Sequence, residues 1–479
     1  MAVKVAFIGA GSVGFTRKLM RDILCVPELA DTEFSLHDVD KRNLQRVAEL
    51  CRRDIRANKL PAKVRTSVDR RRALAGADYV FNVVRIGGVE AFRKDIEIPL
   101  KYGIDQCVGD TLAPGGIFYA QRNIPQLLAF CEDIREVAAD DCLLMNYANP
   151  MAMNTWAALK YGRVRTVGLC HGIEHGWMQI AEVLGAEDWR DVEIVCAGIN
   201  HQTWYTKIIY RGREVGPDEL LEAFERHPTY SHTEKVRIDV LRRFGYYSTE
   251  SNGHLSEYLP WYRKRPKEIR RWIDTSHWIN GETGGYLREV TENRRKFDAD
   301  FERMLSDEPA KIAPEYRGHE RGSHIVEALE TGRCWRGHLN VRNDGCITNL
   351  PDDCIVEVPA YLDATGINIP RVGDLPAACA ATCSVSVNVQ RMAMEAAVAG
   401  DVTLLKQALL HDPLTAAVCD PVEVWQLADE MLVAEAKWLP QYASEIPAAK
   451  KRLAAAKRKG EYRGTWKWNG AARKRPRKQ

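Results

Sequence analysis

No stretch of roughly eighteen apolar residues occurs anywhere in this chain of 479, which excludes a membrane-spanning helix of ordinary length. An excess of charge of either sign is also missing. The 68 Lys and Arg stand against 65 Asp and Glu, a formal net charge of +3, so no general attraction to nucleic acid or to a membrane surface is expected. No Cys-x-x-Cys pair occurs among the 13 cysteines, and their number is odd. That excludes a disulfide framework and argues for reduced thiols in a cytoplasmic compartment. The apolar opening Val3 to Ile8 runs straight into a glycine loop and not into a small-residue cleavage site, so no secretion signal is expected. There is no internal repeat and no low-complexity linker. The local charge bias Arg473-Lys474-Arg475-Pro476-Arg477-Lys478 reads as part of a basic, flexible tail over 466–479.

What is present points to an α/β enzyme. The strand predicted over Val3 to Ile8 leads into Gly9-Ala10-Gly11-Ser12-Val13-Gly14 and then a helical pattern through Leu24. This is the full G-x-G-x-x-G fingerprint in strand-turn-helix context. The glycines permit a tight turn and let backbone amides approach a pyrophosphate at the positive end of a helix. Gly9, Gly11, Ser12 and Gly14 are therefore the expected dinucleotide contacts. A second strand, Glu33 to Leu36, delivers Asp38, an acceptor for ribose hydroxyls that favours NAD over NADP.

The alternation continues with a strand over Ala77 to Val83, a helix over Gly116 to Val137 and a strand over Cys142 to Asn146, which predicts a doubly wound, Rossmann-like parallel sheet. The loop Asn146 to Met151 then falls at the carboxyl end of a strand, where open α/β sheets bind ligands. Arg85 to Gly115 reads as a long loop, too polar and glycine-rich for core, with Asp110 a candidate substrate contact.

Two further stretches, Val167 to Gly172 and Gly198 to His201, set soft donors after apolar runs that read as buried strands. Cys170 and His201 held there on rigid supports are a candidate metal pair. His171, Glu174 and His175 also spell H-x-x-E-H, the ligand pattern of inverted zinc peptidases. Gly172 weakens the helix which that motif requires, so Glu174 and His175 are expected merely on the first turn of the helix after the strand. From Ile194 the pattern alternates, and a second domain is expected. Tyr247, Glu250, His254, Glu257 and Tyr258 gather several proton carriers there, and the region from about Val385 to Ala456 is helical. The expected division is a dinucleotide-binding domain over 1–195, an α+β substrate and catalytic domain over 196–465, and the tail.

Together these motifs resemble the NAD- and metal-dependent glycosidases of glycoside hydrolase family 4, relatives in fold of lactate and malate dehydrogenases. The resemblance runs along nearly the whole chain. It rests on Gly9 to Thr16, Ile98 to Gly103, Asp110-Thr111, Asn149-Pro150-Met151, Cys170-His171, Asn200-His201, Asn349-Leu350-Pro351 and His411 to Thr415. It implies hydrolysis by oxidation and elimination. NAD takes hydride from sugar C3, a base removes the C2 proton, the glycosidic oxygen leaves, water adds at C1 and the hydride returns.

The same resemblance implies that Phe15 joins the glycine loop in holding NAD and that Cys170 and His201 ligate a divalent metal, generally manganese. A thiolate and an imidazole alone favour zinc or iron, so substrate hydroxyls and water would have to supply the oxygen donors that manganese favours. Asn149 and Asp110 would contact the sugar, with Asp110 sharing in the chemistry, and His171 would protonate the leaving oxygen. Tyr247 and Glu257 are the expected candidates for the C2 base. His171 resembles the branch acting on non-phosphorylated α-glycosides. Cys170-His171-Gly172 within it resembles the α-glucuronidases, with α-galactosidase, α-glucosidase and α-galacturonidase as alternatives. A homodimer or homotetramer acting on a small glycoside, with no nucleic acid or membrane partner, is implied as well. The rival use of this fold is a plain NAD dehydrogenase of a small hydroxy acid or sugar, which needs no metal.

Overall fold

The computed structural model describes residues 2–466, so the predicted basic tail lies outside the described residues except for Trp466. Short apolar segments become the central strands: Lys4–Ile8 (β1), Glu33–His37 (β2), Lys63–Ser67 (β3), Tyr79–Asn82 (β4), Leu143–Asn146 (β5) and Thr166–Gly168 (β6). Every residue of β4, β5 and β6 is buried, as in a parallel sheet covered on both faces. These strands are mutually parallel in the order β3-β2-β1-β4-β5-β6, the doubly wound arrangement expected.

The sheet does not stop at β6. Val192–Ile199 (β7), Gln202–Tyr210 (β8) and Arg213–Glu214 (β9) follow in sequence, but Trp335–Arg342 (β10) and Ile355–Asp363 (β11) insert between β6 and β7. With Gly366–Asn368 (β12) on β11 they complete a 12-stranded sheet whose second half is antiparallel. The junctions are narrow: β10 meets β6 at Asn340 and Gly168, and β11 meets β7 at Glu357 and Gly198. Both large cores also mix early and late residues. Ile117 and Trp156 pack with Val358, Met394 and Leu427 in one, and Phe7 and Leu36 with Phe297, Ile325 and Leu339 in the other. Each such side chain, fully buried, contributes about 1.5–3 kcal/mol relative to exposure.

One segment departs from its predicted form. Within 85–115 the chain builds a helix, Gly88–Leu100, which buries Ala91, Phe92, Ile96 and Ile98, and the turn after it is buried too. The reason is charge pairing across the sequence. Asp95 is buried with Arg122 of the helix Ala113–Val137 at 2.6 Å, and Arg122 also binds Glu435. A carboxylate so paired loses its need for water, and nothing local distinguishes it from a solvated one. Glu174 and His175 do lie on the first turn of the helix Gly172–Val183. Arg321 grips Glu174 through two contacts of 2.6 Å, so H-x-x-E-H is not a ligand set. Among the described residues no helix is long and apolar enough to cross a membrane.

Candidate active site

The carboxyl ends of the parallel strands carry the site. After β1 the chain turns at Gly9 (φ +89°), and the amides of Gly9 and Ala10 both donate to the His37 carbonyl at the end of β2. A Cβ on Gly9 would lie 3.0 Å from the Val83 backbone, and one on Gly11 would lie 2.8 Å from Asp38 Oδ2. At Gly14 a Cβ would meet nothing within 4 Å, so the loop is open there. Ser12 precedes the helix Val13–Leu24 without a side-chain cap, which leaves the first-turn amides for another acceptor. Asp38 is oriented by the amides of Gly11 and Asp40, each at 2.8 Å. The Phe15 ring sits 5.5 Å from Tyr147 and 5.9 Å from His171. An open glycine turn, bare helix amides and a fixed carboxylate fit a dinucleotide.

Cys170 lies just beyond β6, and His201 occupies the two-residue turn between β7 and β8. Cys170 Sγ and His201 Nε2 are 3.2 Å apart. His201 adopts φ +65°, a conformation that costs a non-glycine residue of order 1 kcal/mol and is maintained by its contacts. Its Nδ1 is 2.8 Å from Thr111 Oγ1, and the Thr111 hydroxyl donates to Asp110 Oδ1 at 2.9 Å. The Tyr258 hydroxyl stands 3.3 Å from the same Nδ1, so both hydroxyls hold the ring with Nε2 turned toward Cys170. A metal-ligating histidine is oriented in this way, by a polar partner on its second nitrogen. Burial, with the Glu250 and Glu357 carboxylates nearby, pushes the Cys170 thiol well above its ordinary range, so a bound cation would replace that proton.

Around this pair stand the sugar-binding candidates. Asn149 Nδ2 donates to Asp110 Oδ2 at 2.7 Å, and the Asn149 carbonyl in turn accepts from Asn123. Asp110 and His254 offer atoms within 4.8 Å of one another and of His201. Glu250 is the residue that sequence reading left unattached. Its Oε1 is 3.5 Å from Cys170 Sγ and 3.6 Å from His201 Nε2, while Oε2 faces His254 Nδ1 at 3.3 Å. Thiol, imidazole and carboxylate converging in this way fit a divalent ion.

Two predicted catalytic residues, Glu257 and Tyr247, stand elsewhere, and His171 has a partner of its own. His171 Nε2 donates to the buried Glu320 at 2.8 Å, with its ring beside those of Phe15 and Tyr147. Burial raises the Glu320 carboxyl, but the bonds from His171 and Lys18 outweigh it and hold the group at about 2. Glu257, expected as a C2 base, accepts from the amides of Cys107, Val108 and Gly109, and so anchors the loop that carries Asp110. Tyr247 is also displaced from its expected role. It is packed 4.3 Å from Phe224 beneath the Arg237 guanidinium, with its hydroxyl directed at Gln179. A tyrosine so buried has its ionisation pushed well above the ordinary range, which disfavours it as a base.

Comparison with known proteins agrees with this geometry. A model described as Family 4 glycosyl hydrolase matches residues 4–186, and one described as Family 4 glycosyl hydrolase C-terminal domain matches residues 196–415. The chain is 59% identical over 471 residues to an alpha-galactosidase of Rhizobium meliloti (strain 1021), covering 98% of this chain and 95% of that one. It is 35% identical to an alpha-galactosidase of Bacillus subtilis (strain 168), covering 92% and 99%. Among solved structures, the putative glucosidase lplD from Bacillus subtilis aligns with a TM-score of 0.77 at 25% identity, over 90% of this chain and 99% of that one. With both halves matched, and a glycine loop and a thiol–imidazole pair set at the ends of one parallel sheet, the chain belongs to glycosyl hydrolase family 4 and is a glycosidase.

Proposed function

We propose that this glycosidase hydrolyses α-galactosides with NAD and a divalent metal as resident cofactors. The observation that carries the mechanism is the Cys170–His201 pair, which shares the carboxyl edge of the sheet with the open Gly9–Gly14 turn. Bound NAD would supply reversible oxidation at sugar C3, and a bound divalent ion would polarise the oxygen there. The chain's own residues do the rest. Asn149 and Asp110, bonded to each other at 2.7 Å, orient the sugar hydroxyls. Asp110 and His254 border the same space as His201 and can take the C2 proton. Thr111 fixes the His201 ring, and Glu257 fixes the loop bearing Asp110.

Identity of 59% to an alpha-galactosidase over nearly the whole chain supports the galactoside over the α-glucuronide that Cys170-His171-Gly172 suggests. Arg321, close to that segment, is already committed to Glu174 and Glu357 and is not free for a uronate. A second reading, an α-glucuronide or α-galacturonide, retains one supporting observation. Arg85 Nη1 is buried without a hydrogen-bond partner, and this guanidinium feels the Asp110 carboxylate. The proposal includes manganese as the ion, assembly as a homodimer or homotetramer, and a cytoplasmic location, all carried by the family resemblance and the thiol-rich composition.

The test is an assay of aryl α-galactoside, α-glucoside, α-glucuronide and α-galacturonide with NAD, manganese and a thiol reductant, each then omitted in turn. The expected outcome is phenol release from the galactoside, lost without NAD or metal, with deuterium entering sugar C2 in heavy water. Release from a uronide alone moves the substrate to the second reading. Hydrolysis that persists without NAD overturns the mechanism. Stoichiometric NADH from a hydroxy acid, with no glycoside cleaved, establishes the dehydrogenase.

A further inference from the structure

We infer that Glu250 is a third protein ligand of the divalent ion, and that position 172 is glycine so that the Glu250 carboxylate can reach it. The inference rests on the metal-dependent reading above and adds to it a residue that the thiol–imidazole pair does not include.

Cys170 Sγ, His201 Nε2 and Glu250 Oε1 form a closed triangle with sides of 3.2, 3.5 and 3.6 Å. Ligand atoms about 2.0–2.4 Å from one ion, at octahedral or tetrahedral angles, lie about 3–3.8 Å from each other. The triangle therefore has the size of one face of a coordination shell, with its opposite side left for sugar hydroxyls or water. The His201 ring is held at its other nitrogen by the Thr111 and Tyr258 hydroxyls, which leaves Nε2 turned toward Cys170 and Glu250.

Gly172 supplies the independent observation. A Cβ there would stand 1.9 Å from Glu250 Oε1 and 2.7 Å from its Cδ. Gly172 opens the helix Gly172–Val183 with no left-handed φ, so the space it leaves, and not its backbone, requires a glycine. The atoms in the way are the tip of a flexible side chain. A methyl group at 172 therefore displaces the carboxylate at small cost to the fold. The second oxygen of Glu250 is steadied by His254 Nδ1 and the Ser251 amide, both at 3.3 Å, as ligating carboxylates are in metal sites generally. A carboxylate also answers the chemistry of the ion. Thiolate and imidazole alone suit zinc or iron, and one charged oxygen donor shifts the set toward manganese.

The experiment is manganese binding by the full-length metal-free protein under a thiol reductant. Free ion is read by electron paramagnetic resonance, and the glycosidase assay is run in parallel. Glu250→Gln keeps the shape and loses the charge, and Gly172→Ala keeps Glu250 but crowds it. Both are expected to weaken manganese binding by about tenfold or more, with circular dichroism unchanged. Glu250→Gln binding manganese within twofold of the parent overturns the inference even if activity is lost, because Glu250 then acts on the substrate and not on the ion. If Gly172→Ala alone fails to fold, the Glu250→Gln comparison decides the outcome. A parent protein that binds no manganese overturns the inference together with the metal requirement. One that binds it but cleaves no glycoside overturns the functional reading alone.

Discussion

The dinucleotide side and the metal side of this site are made of different material. On the first, the working groups are the first-turn amides of the helix Val13–Leu24, presented by the contiguous turn Gly9 to Gly14 with Asp38 folded against it. On the second they are side chains delivered by separate segments: Asp110 and Thr111, Asn149, Cys170, His201, Glu250 and His254. A backbone cradle is specified by which residues lack a Cβ. A side-chain cluster is specified by which strands become neighbours. The two sides should therefore respond to mutation separately.

Removing a ligand is the strongest test of that separation. Cys170→Ser is expected to lower hydrolysis by about a thousandfold through loss of the ion's contribution of several kcal/mol. NAD binding, followed by fluorescence titration, should stay within twofold. Loss of NAD affinity in the same variant would show that the two sides are one cooperative unit. Gly9→Ala acts in reverse and more gently. The left-handed φ of +89° and the 3.0 Å approach to Val83 predict NAD affinity about tenfold lower, from roughly 1–2 kcal/mol of strain, with manganese binding unchanged. The smallest effects belong to the residues displaced from their expected catalytic roles. Glu257→Gln should lower the thermal midpoint by about 1–3 °C, since one acceptor of the loop amides is replaced by a donor. Tyr247→Phe should retain specific activity within about twofold, because its hydroxyl makes one 3.3 Å bond to Gln179. A collapse of turnover in either variant, with its midpoint unchanged, would restore it as a base.

The same difference of material decides what could be read from the sequence. Gly9, Gly11 and Gly14 announce themselves by spacing, and β1, β2, β4 and β5 are legible as strands of a parallel sheet from apolar runs between helical patterns. Cys170 and His201 are legible as a candidate pair of donors after buried strands, and the divalent metal they would hold is implied by the family resemblance. Glu250 and His254 were visible only as ionisable groups in a crowded segment. No period or spacing ties residue 250 to residue 170, and the link is made by a Cβ that Gly172 does not have. Glu257 illustrates the opposite failure. A carboxylate beside candidate bases reads as chemistry, yet it accepts from the amides of Cys107, Val108 and Gly109, whose exposed hydrogens no sequence pattern records. The helix Gly88–Leu100 was missed for a related reason, since Asp95 is rendered fit for burial by Arg122, 27 positions away.

The insertion of β10 and β11 between β6 and β7 bears on how the protein is made. Cys170 and His201 lie 31 positions apart and emerge from the ribosome almost together. The strands that set their distance, Trp335–Arg342 and Ile355–Asp363, are synthesised much later. A nascent chain ending before β11 carries both donors on sheet edges that the folded junctions have not yet joined. The geometry of the pair therefore belongs to the later half of the chain as much as to the segments that carry the two donors.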